Sequence, residues 1–264
     1  MTWTNQVFLG SSEHMTQIPD GMIDLVVTSP PYDGVRTYNG HASFDVDAVA
    51  REMYRVCHNG SVVCWVVQDQ TIDGAKTDTS FEQVFRFKEA GFRRWETIIY
   101  HRHGRPGPWW ATRLRVDHEY IHVFFKGDRL RSFTKPMVKS VSPGRSVYGA
   151  TRLSDGTLKP AEFTERRVIA EYKCRGTVWE CASGGNGDDA RSEHPAPFPN
   201  ALAADLIRTF SNEGDIVLDP FMGSGTTAVM ADVLSRNWVG YEVNPEYHDL
   251  IRRRLSQMPM FPAI

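Results

Sequence analysis

Residues 215–244, DIVLDPFMGSGTTAVMADVLSRNWVGYEVN, restrict the fold more than any other part of the chain. A short apolar run ends at Asp219 and passes through a Gly223-Ser224-Gly225 turn into an apolar helix, and a second apolar run ends at Glu242. Strands alternating with helices in this way build a layered α/β domain on a mostly parallel sheet. Glycines at such a turn let backbone amides approach a ligand and aim the helix N-terminus at it, while an acidic group at the next strand end can accept both ribose hydroxyls. A GxG taken alone serves a turn as readily as a ligand; the strand, turn, helix, strand and Glu in succession favour a nucleoside-cofactor site. GSGTT lacks the lysine of a phosphate-binding loop, and a dinucleotide GxGxxG would need glycine where Ala228 stands. Another adenosine cofactor is the reading that remains.

The second constraining stretch is VTSPPY, residues 27–32. Ile23 to Val27 read as a buried strand. Each proline removes a backbone donor and holds its predecessor extended, so ladder pairing stops and the strand presents Ser29, Pro30, Pro31 and Tyr32 as a stiff polar and aromatic tip. Strand ends of open α/β sheets are where ligands are handled, which makes this tip a candidate site.

Around these two stretches the periodicity predicts further elements. QVFLG and GSVVCWVV read as strands, Val46 to Cys57 and FEQVFRFKEAGF as amphipathic helices. WETIIYHR and EYIHVFFKG suit an antiparallel pair at a sheet edge. From Asp128 to about Gly176 the period dissolves into Pro, Gly, Ser and basic residues, which reads as a loop-rich insertion or as a solvated linker. FPNALAADLIRTF, GTTAVMADVLSR and PEYHDLIRRRL are the helices expected after it. The expected organisation is one α/β domain in two halves, 1–127 and 177–264, around an insertion at 128–176.

Charge distribution separates the insertion from its surroundings. The chain's 30 Lys and Arg and 32 Asp and Glu leave a formal charge of −2. Residues 101–176, however, hold 16 Lys and Arg against 7 Asp and Glu, leaving 14 against 25 elsewhere. A basic middle in a near-neutral protein is the footprint expected on a polyanion. Cys57, Cys64, Cys174 and Cys181 show neither CxxC spacing nor a histidine at zinc-site spacing, so free thiols and no metal are expected. With no basic flank and apolar run at the start, and no 18 consecutive apolar residues, the expectation is a soluble intracellular protein without a membrane partner.

TSPPY followed far downstream by DPFMGSGTT resembles the S-adenosylmethionine-dependent DNA amino-methyltransferases, in the order of their permuted β class. The resemblance covers roughly 7–127 and 177–255 and includes EHPAPFPNALAADLI, which is similar to the family's methionine-side motif. It implies a circularly permuted Rossmann-like sheet, with S-adenosyl-L-methionine as cofactor and the insertion as target-recognition region. Asp219, Pro220, Phe221, Gly223, Ser224, Gly225 and Thr226 would line the cofactor and Glu242 would hold its ribose. His194, Pro195 and Phe198 would lie by the methionine end, or form an ordinary loop and first helical turn. Where the family often has Gly-Asp after the first strand, this chain has Gly10-Ser11-Ser12, so Ser11 would replace Asp at the adenine.

The resemblance also implies the chemistry. An exocyclic amine is a poor nucleophile, so Ser29 and the Pro30 carbonyl would accept its hydrogens while Tyr32 stacks on the extruded base. No cysteine follows a proline, which argues against cytosine C5 methylation through a thiolate. Arg102, Arg105, Arg113 and Arg115 could hold the phosphates of double-stranded DNA, with Trp109 and Trp110 either filling a flipped-base gap or packing. His101 and His103 read as surface histidines and Arg252 to Arg254 as the solvated end of the last helix. Serine at the first catalytic position is commoner with cytosine N4 and aspartate with adenine N6. Cytosine N4 is therefore the expected target, with adenine N6 as the alternative; an RNA or protein amine, or a non-catalytic DNA-binding scaffold, fits less well. A cytoplasmic enzyme of a bacterium or its virus is implied, and a homodimer and a cognate restriction enzyme are both compatible with it.

Overall fold

The computed structural model describes residues 2–31, 44–103, 113–147, 151–159, 167–182 and 199–256. Eight strands form the central sheet: β1 (Gln6–Leu9), β2 (Ile23–Thr28), β3 (Cys57–Val67), β4 (Arg93–His103), β5 (His118–Phe125), β6 (Val178–Ala182), β7 (Ile216–Asp219) and β8 (Asn237–Glu242). Their order across the sheet is β1-β8-β7-β2-β3-β5-β4-β6. Every neighbouring pair is parallel except β3 with β5 and β5 with β4. The expected antiparallel pair is present, but it does not end the sheet. β6 adds in parallel outside β4, matching Val178 to Ile99 and Ala182 to His103.

Five helices accompany the sheet: α1 (Val46–Val56), α2 (Thr79–Glu89), α3 (Asn200–Phe210), α4 (Thr226–Val233) and α5 (Pro245–Ser256). Side chains alternate along each strand, so one face buries Leu25, Val27, Cys64 and Val217 with Leu206 of α3, Ala228 of α4 and Ile251 of α5. The other buries Val26, Trp65 and Leu218 with Met53 of α1 and Phe87 of α2. Strands buried on both faces explain the continuous apolar runs at 23–28 and 61–67.

A bulge between Ile23 and Leu25 breaks the alternation of β2, and Asp24 sits in it. Its carboxylate accepts the Ile216 N–H at 2.8 Å and pairs with His58 Nε2 at 2.7 Å and with Arg131. Arg131 also reaches Asp215 at 3.4 Å. These groups tie the starts of β2, β3 and β7 to the segment following β5. Lys126 is held there too, donating to the Tyr54 and Cys57 carbonyls at 2.6 and 2.8 Å.

The chain divides into two compact units, Met1–Thr134 with Thr177–Ile264, and Lys135–Gly176. The second holds short antiparallel ladders nested in sequence: Met137–Lys139 with Tyr172–Cys174, Ser146–Val147 with Arg167–Val168, and Thr151–Arg152 with Leu158–Lys159. Each ladder is two or three residues long, too short for an alternating pattern to register in the sequence.

Gly240 of β8 shows how tightly the glycine turn is seated. A Cβ there would lie 1.9 Å from Met222 Cε and 2.7 Å from the Asp219 carbonyl oxygen. The second contact is with backbone and cannot be relieved by a rotamer change. Gly240→Ala is expected to destabilise the fold by about 1–3 kcal/mol or more, read by denaturant unfolding. Unchanged stability would show that the turn has room to move.

Candidate functional site

β7 leads through α4 to β8 on one side, and β2 leads through α1 to β3 on the other, with α4 and α1 on opposite faces of the sheet. The strand order reverses between β7 and β2, and the crevice beyond the carboxyl ends of two such strands is where open α/β sheets hold ligands. Both motifs read from the sequence meet there. Asp219 and Pro220 leave β7 into the glycine turn, and Ser29, Pro30 and Pro31 leave β2 beside it.

The turn is held by hydrogen bonds from several elements. The Phe221 N–H donates to Asp219 Oδ1 at 3.0 Å, the Met222 N–H to the Tyr241 carbonyl at 2.9 Å, and the Gly223 N–H to Glu242 Oε2 at 2.7 Å. Gly223 and Gly225 have φ of +52° and +80°, which a side chain would strain. Gly225 immediately precedes α4 and lies over Ile251 of α5, and Ser224 and Thr226 are buried beside it. From the opposite side Arg254 donates to the Ser224 carbonyl. The arginine read as part of a solvated helix end is therefore a brace of the turn; its reach depends on how α5 packs, which no local pattern discloses.

Glu242 ends β8 and is 8% exposed. Burial raises its pKa, against the backbone N–H groups of Asn244 and Gly223, which lower it. Each carboxylate oxygen accepts one of these backbone hydrogens, Asn244 at 2.8 Å and Gly223 at 2.7 Å, and retains acceptor capacity. Ser11 follows β1, which is paired with β8, and the Gly10 N–H donates to the Glu242 carbonyl at 2.9 Å. Ser11 itself accepts the Glu13 N–H at 3.2 Å.

Two contacts that the sequence reading missed join the halves of the site. Thr28 donates to Asp219 Oδ1 at 2.6 Å, and Thr227 of α4 to the Val27 carbonyl at 3.1 Å. A hydroxyl at the end of an otherwise aliphatic buried strand was the signal available for Thr28, since a buried hydroxyl needs a partner. Burial pushes the Asp219 carboxyl up to about 6, against the Thr28 and Phe221 hydrogen bonds that lower it.

The candidate DNA contacts lie elsewhere on the carboxyl edge, around β4 and the approach to β5. Arg102 pairs with Glu119 at 3.2 Å, Arg115 lies 3.9 Å from Asp117, and Arg113 donates to the Gly74 carbonyl. His101 stands between Asp117 at 3.7 Å and Glu180 at 3.8 Å. Tyr32, Arg105, Trp109, Trp110, His194, Pro195 and Phe198 lie outside the described residues. Among the described residues no group of His, Cys, Asp and Glu is arranged to hold a metal. Cys57 and Cys64 are buried, and burial pushes the Cys57 thiol up to about 12.

A family model described as DNA methylase matches residues 23–253. The orphan methyltransferase M.BamHII of Bacillus amyloliquefaciens is 40% identical over 244 residues, covering 90% of this chain and 91% of that one. The DNA adenine methyltransferase YhdJ of Escherichia coli K12 is 36% identical over 143 residues, 50% of this chain and 48% of its own. A DNA modification methylase of Thermus thermophilus, solved in complex with S-adenosyl-L-methionine, matches with a TM-score of 0.65 at 27% identity, covering 97% of this chain and 95% of that one.

The state of Asp219 yields a stability prediction. Its folded pKa, about 6, lies above the ordinary 3.8, so its stabilising contribution is full below 3.8 and is lost as pH rises through 6. Relative to Asp219→Asn, the wild-type protein should lose roughly 2–3 kcal/mol of unfolding free energy between pH 4 and pH 7. Denaturant titrations of both proteins across that range check this. A difference that does not change with pH would mean that the carboxyl is not desolvated.

Proposed function

This chain belongs to the DNA methylase family, and from that membership we propose that it transfers a methyl group from S-adenosylmethionine to the exocyclic N4 amine of a cytosine in duplex DNA. An S-adenosylmethionine-dependent DNA amino-methyltransferase is what the family makes it; the target base and the residue roles are our reading. The observation that carries this reading is the meeting of the Ser29-Pro30-Pro31 tip and the glycine turn at the point where the strand order reverses.

The residues present suit the cofactor. Ser11, Glu242, the turn of residues 219–226 and the tip of β2 follow four adjacent strands, β1, β8, β7 and β2. At strand spacing the line from first to last is about 14 Å, room for a nucleoside carrying an amino-acid arm. In our assignment Glu242 accepts the ribose hydroxyls with the acceptor capacity its backbone partners leave, and Ser11 meets the adenine. Asp219, Pro220, Phe221, Gly223, Ser224, Gly225 and Thr226 line the middle, and His194, Pro195 and Phe198 the methionine end. Bound there, the cofactor supplies an electrophilic methyl group on a positively charged sulfur.

The tip then has to make a delocalised amine nucleophilic. Ser29 Oγ and the Pro30 carbonyl oxygen accept the two amine hydrogens, which draws the nitrogen toward tetrahedral geometry and frees its lone pair. Pro31 stiffens the tip, and Tyr32 is assigned the face of the extruded base. No covalent link to the protein is needed, consistent with thiols kept protonated by burial. Arg102, Arg105, Arg113 and Arg115 are assigned to phosphates; Arg102 and Arg115 would exchange their present carboxylate partners for DNA. The unit Lys135–Gly176 is assigned to target recognition.

Adenine N6 is the second reading, favoured by the likeness to YhdJ, whose name specifies adenine. Serine rather than aspartate at position 29 favours cytosine. Expression in a methylation-deficient host, followed by sequencing that separates N4-methylcytosine from N6-methyladenine, decides between them. N4-methylcytosine confined to one short sequence is expected; N6-methyladenine would transfer the assignment to the second reading, and unmodified DNA would overturn both. For the cofactor, Glu242→Ala is expected to weaken S-adenosylmethionine binding by about 1.5–3 kcal/mol in calorimetry, the range for hydrogen bonds to a charged group. Unchanged affinity in a folded variant would remove Glu242 from the site.

A further inference from the structure

The backbone ladder between β7 and β2 contains two matched pairs, Val217 with Leu25 and Leu218 with Val26. It stops before either strand reaches the site. Beyond it Pro30 and Pro31 have no N–H to donate, so backbone donation cannot hold that part of the tip. Side chains take over at that point. Thr28, fully buried and adjacent to Ser29, donates to Asp219, adjacent to Pro220 and the glycine turn. The same Asp219 oxygen accepts the Phe221 N–H, so Thr28 is connected through one atom to the backbone of the turn. Thr227 closes a second link, from α4 to the carbonyl of the residue preceding Thr28.

We propose that Thr28 is a positioning residue for methyl transfer: its hydroxyl, held by Asp219, sets the spacing between the tip that holds the acceptor amine and the turn that holds the methyl donor. This rests on the assignment of Ser29 and Pro30 to the amine and of residues 219–226 to the cofactor. Each arm binds its own ligand through its own groups, so losing the link leaves binding intact and displaces one reactant against the other. Transfer is sensitive to that displacement, because a misplacement of about 1 Å can lower a rate about a hundredfold.

Thr28→Val keeps the shape and removes the donor; Thr28→Ser keeps the donor and removes a methyl group. Single-turnover transfer from tritiated S-adenosylmethionine to unmethylated bacterial DNA should be about 10- to 100-fold slower in Thr28→Val. Binding of cofactor and DNA, measured separately, should stay close to wild type, and Thr28→Ser should recover most of the rate. An active wild type with an equally fast Thr28→Val variant would overturn the inference alone. So would a slow variant whose loss is accounted for by weaker cofactor binding or lower thermal stability, or a Thr28→Ser variant as slow as Thr28→Val. A folded wild-type protein that transfers no methyl group would overturn the function and this inference together.

Discussion

Parallel pairing of β7 with β2 is the constraint on which the rest of the molecule depends. These strands come from opposite ends of the chain, with Leu25 matched to Val217 and Val26 to Leu218. Once they lie side by side, α4 and β8 must extend the sheet in one direction and α1 and β3 in the other. Parallel strands need crossover helices, and the two crossovers leave from opposite faces. The crevice beyond β7 and β2 follows from that divergence, and it places two sequence-distant motifs in one site. β1 then falls at the sheet edge outside β8, bringing Ser11 onto the same side as Glu242. A permuted order of motifs thus leaves the site contiguous, because the sheet order assembles it.

The two ends of these central strands do different work. At the amino ends Asp24, His58, Arg131 and Asp215 form a compact set of ion pairs and hydrogen bonds that fixes where β2, β3 and β7 begin. At the carboxyl ends the buried carboxyls of Asp219 and Glu242 are partnered mainly by hydroxyl and backbone N–H groups. An anion whose partners are neutral donors remains available to further donors, whereas one in an ion pair is largely satisfied. That contrast suits the amino edge to stability and the carboxyl edge to ligands. Arg254 and Met222 serve the second purpose indirectly, since one braces the Ser224 carbonyl and the other fills the space over Gly240.

The unit from β7 to β8 was legible because its glycines, its apolar strands and its terminal Glu242 are all dictated locally. The β2 tip was legible for the same reason: prolines end a strand in any context. β6 was missed. It is five residues long, with Trp179 and Cys181 buried and Val178 and Glu180 exposed, and it stands next to an insertion without clear period. Arg254, Thr28 and Thr227 act on partners 30, 191 and 200 residues away, so their roles appear only when the sheet has been assembled. Arg102 and Arg115 were visible as basic residues, but not the carboxylates of Glu119 and Asp117 that now hold them.

The central claim is that one crevice at the carboxyl ends of β2 and β7 holds methyl donor and methyl acceptor together. The most direct measurement is a crystal structure with sinefungin, an analogue of S-adenosylmethionine that carries an amine in place of the transferred methyl group. The account predicts the ribose hydroxyls on Glu242, the chain of the analogue over residues 219–226, and its amine directed toward Ser29 and the Pro30 carbonyl. An analogue bound away from the β7 turn, or with its amine facing away from the β2 tip, would contradict it.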